Sequence, residues 1–209
     1  MDLIISILML CAAIIALLII LFILYFYRDP KRVIPKGNVI VSPADGKIIA
    51  IIKVRSGKDE LKIKKGFAGK IRTLTGDLGK GAFIAISIFM SPLDVHVNRS
   101  PIEGEIVSVR HSKGRFYNAA RPEALENEKT ETIIDSKIGM LKVIQIAGFL
   151  ARRIETFIKP GEKVIAGQRI GIIKLGSQVT LIMPEDKINL TVTKGQKVRA
   201  GSTILGEII

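Results

Sequence analysis

Several residue types that often carry cross-links or chemistry are scarce in this sequence. Its 209 residues include one cysteine, two histidines and no tryptophan, and aromatic residues make up 5%. The lone Cys11 has no partner for a disulfide within the chain, and two histidines leave little material for a metal site. Few aromatics and no recognisable nucleic-acid motif argue against nucleic-acid binding, despite a net charge of +13. A disulfide scaffold is excluded, and metal or nucleic-acid chemistry is disfavoured.

Charged residues are missing altogether from a long segment near the N-terminus. Residues Leu3–Tyr27 are uncharged and mostly Ile and Leu, whereas about 20 apolar residues already span a bilayer. The stretch exceeds a signal-peptide core and no small-residue cleavage site follows it, so residues 1–27 are predicted to be a transmembrane anchor. Arg28, Lys31 and Arg32 come next, and basic residues favour the cytoplasmic end of a span. We therefore expect the domain of residues 28–209 in the cytoplasm.

The domain after the anchor is strongly basic. All 32 basic residues but only 18 of the 19 acidic ones lie in residues 28–209, which gives that part a net charge of +14. Each basic residue near an anionic membrane surface contributes about 1 kcal/mol of attraction. A solvated, lysine-rich surface would account for part of the same excess. The expected partner of the domain is the membrane itself.

Residues 28–209 read as a β-rich domain, because short Ile- and Val-rich runs alternate with Gly, Pro and Asp. Short helical turns are predicted only within Phe116–Glu128 and Gly148–Ile154. The predicted strands are Asn38–Val41, Lys47–Val54, Phe83–Phe89, Glu105–Val109, Lys142–Ile146 and Gln178–Met183.

Two internal echoes organise the domain. Ser42–Ile48 (SPADGKI) returns as Ser100–Ile106 (SPIEGEI), and Gly161–Gly167 (GEKVIAG) returns as Gly195–Gly201 (GQKVRAG). Each echo reads as a turn that leads into a strand. Together they resemble the two halves of biotinyl/lipoyl-type domains. The predicted fold is mainly β, a barrel-sandwich core with short helices, preceded by one transmembrane helix.

Two places in the sequence offer chemistry. Asp94 and His96 would share a strand face if the preceding strand continued, and a carboxylate beside an imidazole raises its basicity. The alternative for His96 is a structural hydrogen bond. At Gly176–Ser177, between two strand-like runs, the serine hydroxyl could attack the preceding carbonyl in a strained turn. The alternative there is an ordinary turn.

Five short motifs lie in one order along the chain: Tyr25–Pro30 (YFYRDP), Val41–Gly46 (VSPADG), Asp94–Pro101 (DVHVNRSP), Asn127–Lys129 (NEK) and Lys174–Ser177 (KLGS). With these residues the sequence resembles the phosphatidylserine decarboxylase proenzymes, in particular the short branch found in many bacteria and archaea. The resemblance runs from about Tyr25 to the C-terminus.

The resemblance implies a self-processing enzyme with a pyruvoyl cofactor. Cleavage between Gly176 and Ser177 would give a β chain of residues 1–176 and an α chain of residues 177–209, with Ser177 converted to the pyruvoyl group. That group would form a Schiff base with the amine of a serine phospholipid and act as electron sink while CO₂ leaves. The two chains are expected to stay associated, with a dimer of such heterodimers as the candidate assembly.

The resemblance also assigns roles to acidic residues and a histidine. Asp45, in Ser-Pro-Ala-Asp-Gly, corresponds to the residue thought to orient the base for processing. Asp94 and His96 correspond to the Asp-x-His motif, with the histidine as proton carrier during decarboxylation. The candidates for contact with the lipid phosphate are Arg32, Lys36, Arg115 and Arg121.

One position departs from the pattern of longer family members. They carry a second histidine, the base for self-cleavage, three residues after the first, and Arg99 stands there in this chain. Either His96 serves both steps, or His111 substitutes, or the turn and Arg99 assist cleavage differently.

Other functions compete with the decarboxylase. A membrane-tethered lipoyl-like carrier or adaptor would need an exposed lysine at a hairpin tip between its halves, where this chain has a basic insertion without a Met-Lys-Met or Asp-Lys-Ala turn. A pyruvoyl decarboxylase of soluble amino acids would have no reason for an anchor. The sequence leaves open whether the lipid is of the diacyl or the archaeal ether type.

Overall fold

A long helix precedes a domain built from short strands. The computed structural model describes residues 2–56, 75–115, 117, 122–148, 153–174 and 177–209. Helix α1 runs over Asp2–Phe26 and is about 37 Å long at 1.5 Å per residue. Among the described residues it alone is long and apolar enough to cross a membrane. Its length and composition agree with the predicted anchor.

The described residues after α1 form fourteen strands, as Ile- and Val-rich segments favour. All six predicted strands are confirmed. The turn predicted within Phe116–Glu128 is present as a 3₁₀ helix at Pro122–Glu126. The turn predicted within Gly148–Ile154 stays a prediction, because residues 149–152 lie outside the described residues; Arg153 and Ile154 begin a strand. The strands are β1 Val39–Val41, β2 Gly46–Ser56, β3 Gly81–Met90, β4 Val97–Arg99, β5 Gly104–Ser112, β6 Lys129–Ser136, β7 Gly139–Ile146, β8 Arg153–Thr156, β9 Lys163–Val164, β10 Arg169–Lys174, β11 Ser177–Pro184, β12 Ile188–Leu190, β13 Lys197–Val198 and β14 Ile204–Ile208.

The strands form one large curled sheet and two small ones. The eight-stranded sheet has the order β13-β2-β3-β11-β7-β6-β5-β9, and the small sheets are β1-β14-β12 and β4-β10-β8. All the pairings are antiparallel. The main hydrophobic core joins the large sheet to both small ones, through residues such as Ile40, Ile86, Val143, Ile173 and Leu181.

The strands divide into two units of seven with the same pairing pattern. One unit is β4–β10, and the other is β1–β3 together with β11–β14, so the first unit interrupts the second. β13 pairs with β2 as β9 pairs with β5, and the two small sheets correspond strand by strand. Even the register shifts match, after Ile48 in β2 and after Ile106 in β5. The two echoes are therefore structural repeats, and the predicted twofold β core is confirmed.

The first echo contains a glycine at the same place in each unit. A side chain at Gly46 would collide with the carbonyl oxygen of Phe89, and one at Gly104 with the carbonyl oxygen of Asp135. Gly46 also has a φ of +142°, which other residues rarely adopt. Both positions need glycine because the neighbouring strand passes directly beside the turn.

We predict that Gly46→Ala and Gly104→Ala each lower the free energy of unfolding by about 1–3 kcal/mol, the usual cost of overpacking. Gly76→Ala is the matched control, because nothing lies within 4 Å of its Cβ position. Denaturation midpoints in detergent measure the effect. Equal midpoints for all three variants would contradict the packing argument.

Candidate active site

Ser177 lies where the chain crosses from one unit back to the other. It is the first residue of β11 and pairs with Met90, the last residue of β3. Strand alternation puts its side chain on the face of Val179 and Leu181, which belong to the main core. The hydroxyl is fully buried, and Ser177 Oγ has no hydrogen-bond partner among the described residues. An unpaired buried hydroxyl costs about 1–3 kcal/mol, which makes Ser177 a candidate functional residue.

His96 occupies the turn between β3 and β4. Strand β3 ends at Met90, so the shared strand face predicted for Asp94 and His96 does not form. The Asp94 carboxylate instead accepts hydrogen bonds from the backbone N and the Oγ of Ser91, both at 2.7 Å. The backbone carbonyl of Asp94 lies 2.9 Å from His96 Nδ1. Asp94 therefore orients the imidazole through its main chain, while its side chain closes the turn.

The protonation state of His96 follows from these contacts. Burial lowers the pKa of His96 to about 4, against the opposing effects of the Asp94 backbone hydrogen bond and charge, and the Arg28 charge lowers it further. The ring is thus neutral near pH 7. Because a carbonyl can only accept, Nδ1 carries the proton and Nε2 keeps a free lone pair. His96 Nε2 is buried without a partner among the described residues.

The two unpaired groups are chemically complementary but are not hydrogen bonded to each other; the segments that carry them are joined by a backbone hydrogen bond. The backbone oxygen of His96 accepts a hydrogen bond of 3.3 Å from the N–H of Ile173, four residues before Ser177. Among the described residues, the hydroxyl of Ser177 has no acceptor and the Nε2 lone pair of His96 has no donor. Leu175 and Gly176, the latter the predicted cleavage position, lie outside the described residues.

Two buried amide side chains lie near the residue that pairs with Ser177. Gln145 Nε2 donates to Asn98 Oδ1 at 2.8 Å, and Asn98 Nδ2 lies 3.7 Å from the sulfur of Met90, the residue opposite Ser177. Gln145 Oε1 is buried and lacks a partner among the described residues. The sequence analysis missed Gln145; a polar residue at a core-facing position of an apolar strand was the available signal.

Asp45 lies on a different set of contacts. Arg32 donates to both of its carboxylate oxygens at 3.0 Å, and the backbone N–H of Ala200 donates to Oδ1 at 2.7 Å. The described contacts therefore tie Asp45 to the segment after the anchor and to the second echo, and none of these hydrogen bonds goes to His96. Arg32, with its charge paired in this way, has little to offer a lipid phosphate.

Arg99 and His111 differ from His96 as candidate bases. Arg99 donates to the carbonyl of Gly167 at 2.8 Å and to Asp29 at 2.6 Å, and a guanidinium stays protonated. His111 is on β5, 3.1 Å from Thr130 Oγ1 and half exposed. Two strands separate β5 from β11, so His111 is three strand spacings, or about 14 Å along the sheet, from the strand of Ser177.

Comparison with known proteins identifies relatives over nearly the whole chain. The sequence profile of the phosphatidylserine decarboxylase family matches residues 19–206. A Methanocaldococcus jannaschii protein, provisionally named an archaetidylserine decarboxylase proenzyme, is 46% identical over 190 residues, 90% of each chain. Phosphatidylserine decarboxylase proenzymes of Chlorobium phaeobacteroides and Desulfotalea psychrophila are 44% and 39% identical, over 90% of this chain and 80% of theirs.

Proposed function

The chain belongs to the phosphatidylserine decarboxylase family, and from this premise we propose that it decarboxylates a serine phospholipid after cutting itself between Gly176 and Ser177. It is an enzyme, so the alternative of a lipoyl-like carrier is set aside. The names of its relatives include both phosphatidylserine and archaetidylserine enzymes. A serine head group on either lipid backbone is therefore the proposed substrate.

The unpaired, buried hydroxyl of Ser177 carries the proposal of self-cleavage. Ser177 Oγ attacks the carbonyl carbon of Gly176, and the peptide bond becomes an ester as the nitrogen of residue 177 gains a proton. β-Elimination then removes the Cα proton of residue 177 to a base, breaks the Cβ–Oγ bond and releases residues 1–176 with a carboxylate end. Water replaces the amino nitrogen of the remaining dehydroalanine, ammonia leaves, and a pyruvoyl group caps residues 177–209. An interior position that already excludes bulk water suits a group that must persist.

His96 is the proposed base for this reaction. Its neutral Nε2 takes the proton of Ser177 Oγ, while the Asp94 carbonyl holds Nδ1–H. The guanidinium of Arg99 is bound to Asp29, and two strands lie between β11 and the strand of His111, so neither replaces it. Of the three alternatives left by the sequence, we propose that His96 serves both cleavage and decarboxylation. Asp45 is proposed to act indirectly, by fixing the segment after the anchor.

The pairing of β11 explains why the two chains would stay together after cleavage. Strand β11 lies inside the large sheet, with eight residues paired to β3 and five paired to β7. Strands β13 and β14 pair with β2 and β1. Residues 177–209 are thus interleaved with residues 1–176 through several separate strand pairings. We propose a stable heterodimer of α and β chains, and two heterodimers in the assembled enzyme as the hypothesis for its oligomeric state.

In decarboxylation the pyruvoyl group supplies the electron sink for the bond that breaks when CO₂ leaves. His96 Nε2 accepts a proton from the substrate ammonium and returns one to the product carbon. Burial keeps this proton from exchanging with bulk water during the cycle.

The anchor and the basic domain would keep this site near its substrate. The acyl chains of the lipid stay in the bilayer while its amine and carboxylate lie at the head-group surface, so anchoring confines the encounter to two dimensions. The basic residues after α1 favour the cytoplasmic side for the domain. Lys36 is exposed and remains a candidate for the phosphate, as does Arg115, whereas Arg121 lies outside the described residues.

We predict two fragments in the purified protein, residues 1–176 and residues 177–209. The smaller one should have no free amine and should be lighter by one ammonia than the same peptide with an N-terminal serine. Ser177→Ala should stay uncut and inactive because it lacks the nucleophile. Ser177→Cys retains a nucleophile and should cut, and Ser202→Ala is a control on a distant turn. Intact-mass spectrometry reads each outcome. An uncut wild-type chain in an active membrane fraction would contradict self-cleavage.

We also predict that replacing His96 and replacing His111 have different effects on cleavage and decarboxylation. His96→Ala should slow cleavage by about 10²–10⁴-fold, the usual contribution of a general base. His111→Ala should cut and decarboxylate at near wild-type rates. Pulse-chase analysis of newly made chains measures cleavage, and CO₂ release per cut chain measures the second step. Normal cleavage in His96→Ala, or loss of it in a folded His111→Ala, would reverse the assignment.

A further inference from the structure

The last residue of the anchor helix differs from all its neighbours. Phe26 is only 3% exposed, whereas the large apolar side chains from Leu3 to Tyr25 are 39–74% exposed. Helix α1 therefore presents lipid-facing side chains along its length and buries one aromatic ring at its end. That ring is packed against the domain.

The ring of Phe26 packs against the imidazole of His96. Their centroids are 4.2 Å apart and their planes are inclined by 36°. The Nδ1 atom of the same imidazole is held by the carbonyl of Asp94. An apolar ring at this distance removes water from one side of the imidazole and limits its rotation.

Several contacts hold the end of α1 on the turn that carries His96. Arg28 donates to the carbonyl of Leu93 and to that of Tyr25, both at 2.6 Å, and the Tyr25 hydroxyl donates to the same Leu93 carbonyl at 3.4 Å. One residue further on, Asp29 binds Arg99 and Arg169. The position of Phe26 over His96 is thus set by bonds on both sides of it.

We propose that Phe26 is a positioning residue of the active site: the end of the membrane anchor forms the dry wall that keeps His96 Nε2 neutral and correctly oriented. This inference rests on the proposed function of His96. It gives the anchor a part in the chemistry that is separate from holding the protein at the membrane.

The effect on pH dependence follows from the groups around the imidazole. Burial is the largest cause of the lowered pKa of His96; among charged groups, Asp94 raises this pKa and Arg28 lowers it. Removing the Phe26 ring admits water, so the pKa should rise toward its ordinary value near 6.5. The free enzyme needs the neutral base, and the acid limb of kcat/KM should therefore move to higher pH.

The test compares full-length Phe26→Ala, Phe26→Leu and the control Leu24→Ala, whose side chain is 66% exposed on the same helix. Decarboxylation of phosphatidylserine in detergent mixed micelles, between pH 4 and 8, gives kcat/KM without any need for bilayer anchoring. For Phe26→Ala, kcat/KM at pH 5.5 should be up to about 10-fold lower than at pH 8. At pH 5.5 only about one-tenth of a base with a pKa of 6.5 is in the neutral form. Leu24→Ala should follow the wild type, and Phe26→Leu should fall between.

The outcomes separate this inference from the function on which it rests. An unchanged acid limb in cleaved Phe26→Ala overturns the role of Phe26, whatever happens to the absolute rate. A uniform loss at every pH overturns it as well, because it indicates a structural effect only. If wild-type chains remain uncut, the proposed function itself fails, whatever the Phe26 variants show. If Phe26→Ala does not fold, the limb of Phe26→Leu decides in the same way.

Discussion

The burial of one imidazole is the constraint on which the rest of this structure depends. Burial lowers the pKa of His96, the carbonyl of Asp94 fixes its tautomer, and its Nε2 has no hydrogen-bond partner among the described residues. A free buried nitrogen and a free buried hydroxyl at Ser177 both reduce stability. The surrounding fold compensates with a large apolar core in which both small sheets pack on the curled one. The main hydrophobic core thus offsets the cost of the unpaired polar atoms at the site.

The two echoes provide the frame on which the segment after the anchor rests. Gly167 and Gly201 end the two copies of the second echo; a side chain at Gly167 would collide with Ile34, and one at Gly201 would be in tight contact with it. Arg99 binds the carbonyl of Gly167 on one side, and Asp45 binds the amide of Ala200 on the other. The repeated turns therefore hold the segment that follows α1, while Phe26 at the end of α1 packs on His96.

Local patterns predicted much of the fold and only part of the site. Alternating Ile and Val runs, together with the echoes, were enough for the strands, because both signals are contained in short segments. His96 and Ser177 could be named from motifs. That the Nε2 of His96 and the Oγ of Ser177 lack hydrogen-bond partners among the described residues could not be predicted, because it depends on every residue packed around them. Gln145, Phe26 and the main-chain role of Asp94 come from contacts between distant segments or from a strand that ends earlier than expected.

The protonation state of the His96 imidazole can be measured by ¹⁵N NMR. The sample is full-length, uncut Ser177→Ala in detergent, with the signals assigned by comparison with His96→Gln. We expect a neutral ring with the proton on Nδ1 from pH 5 to pH 8, and protonation with a midpoint of about 4. A midpoint near the ordinary value of 6.5, or a proton on Nε2, would contradict it.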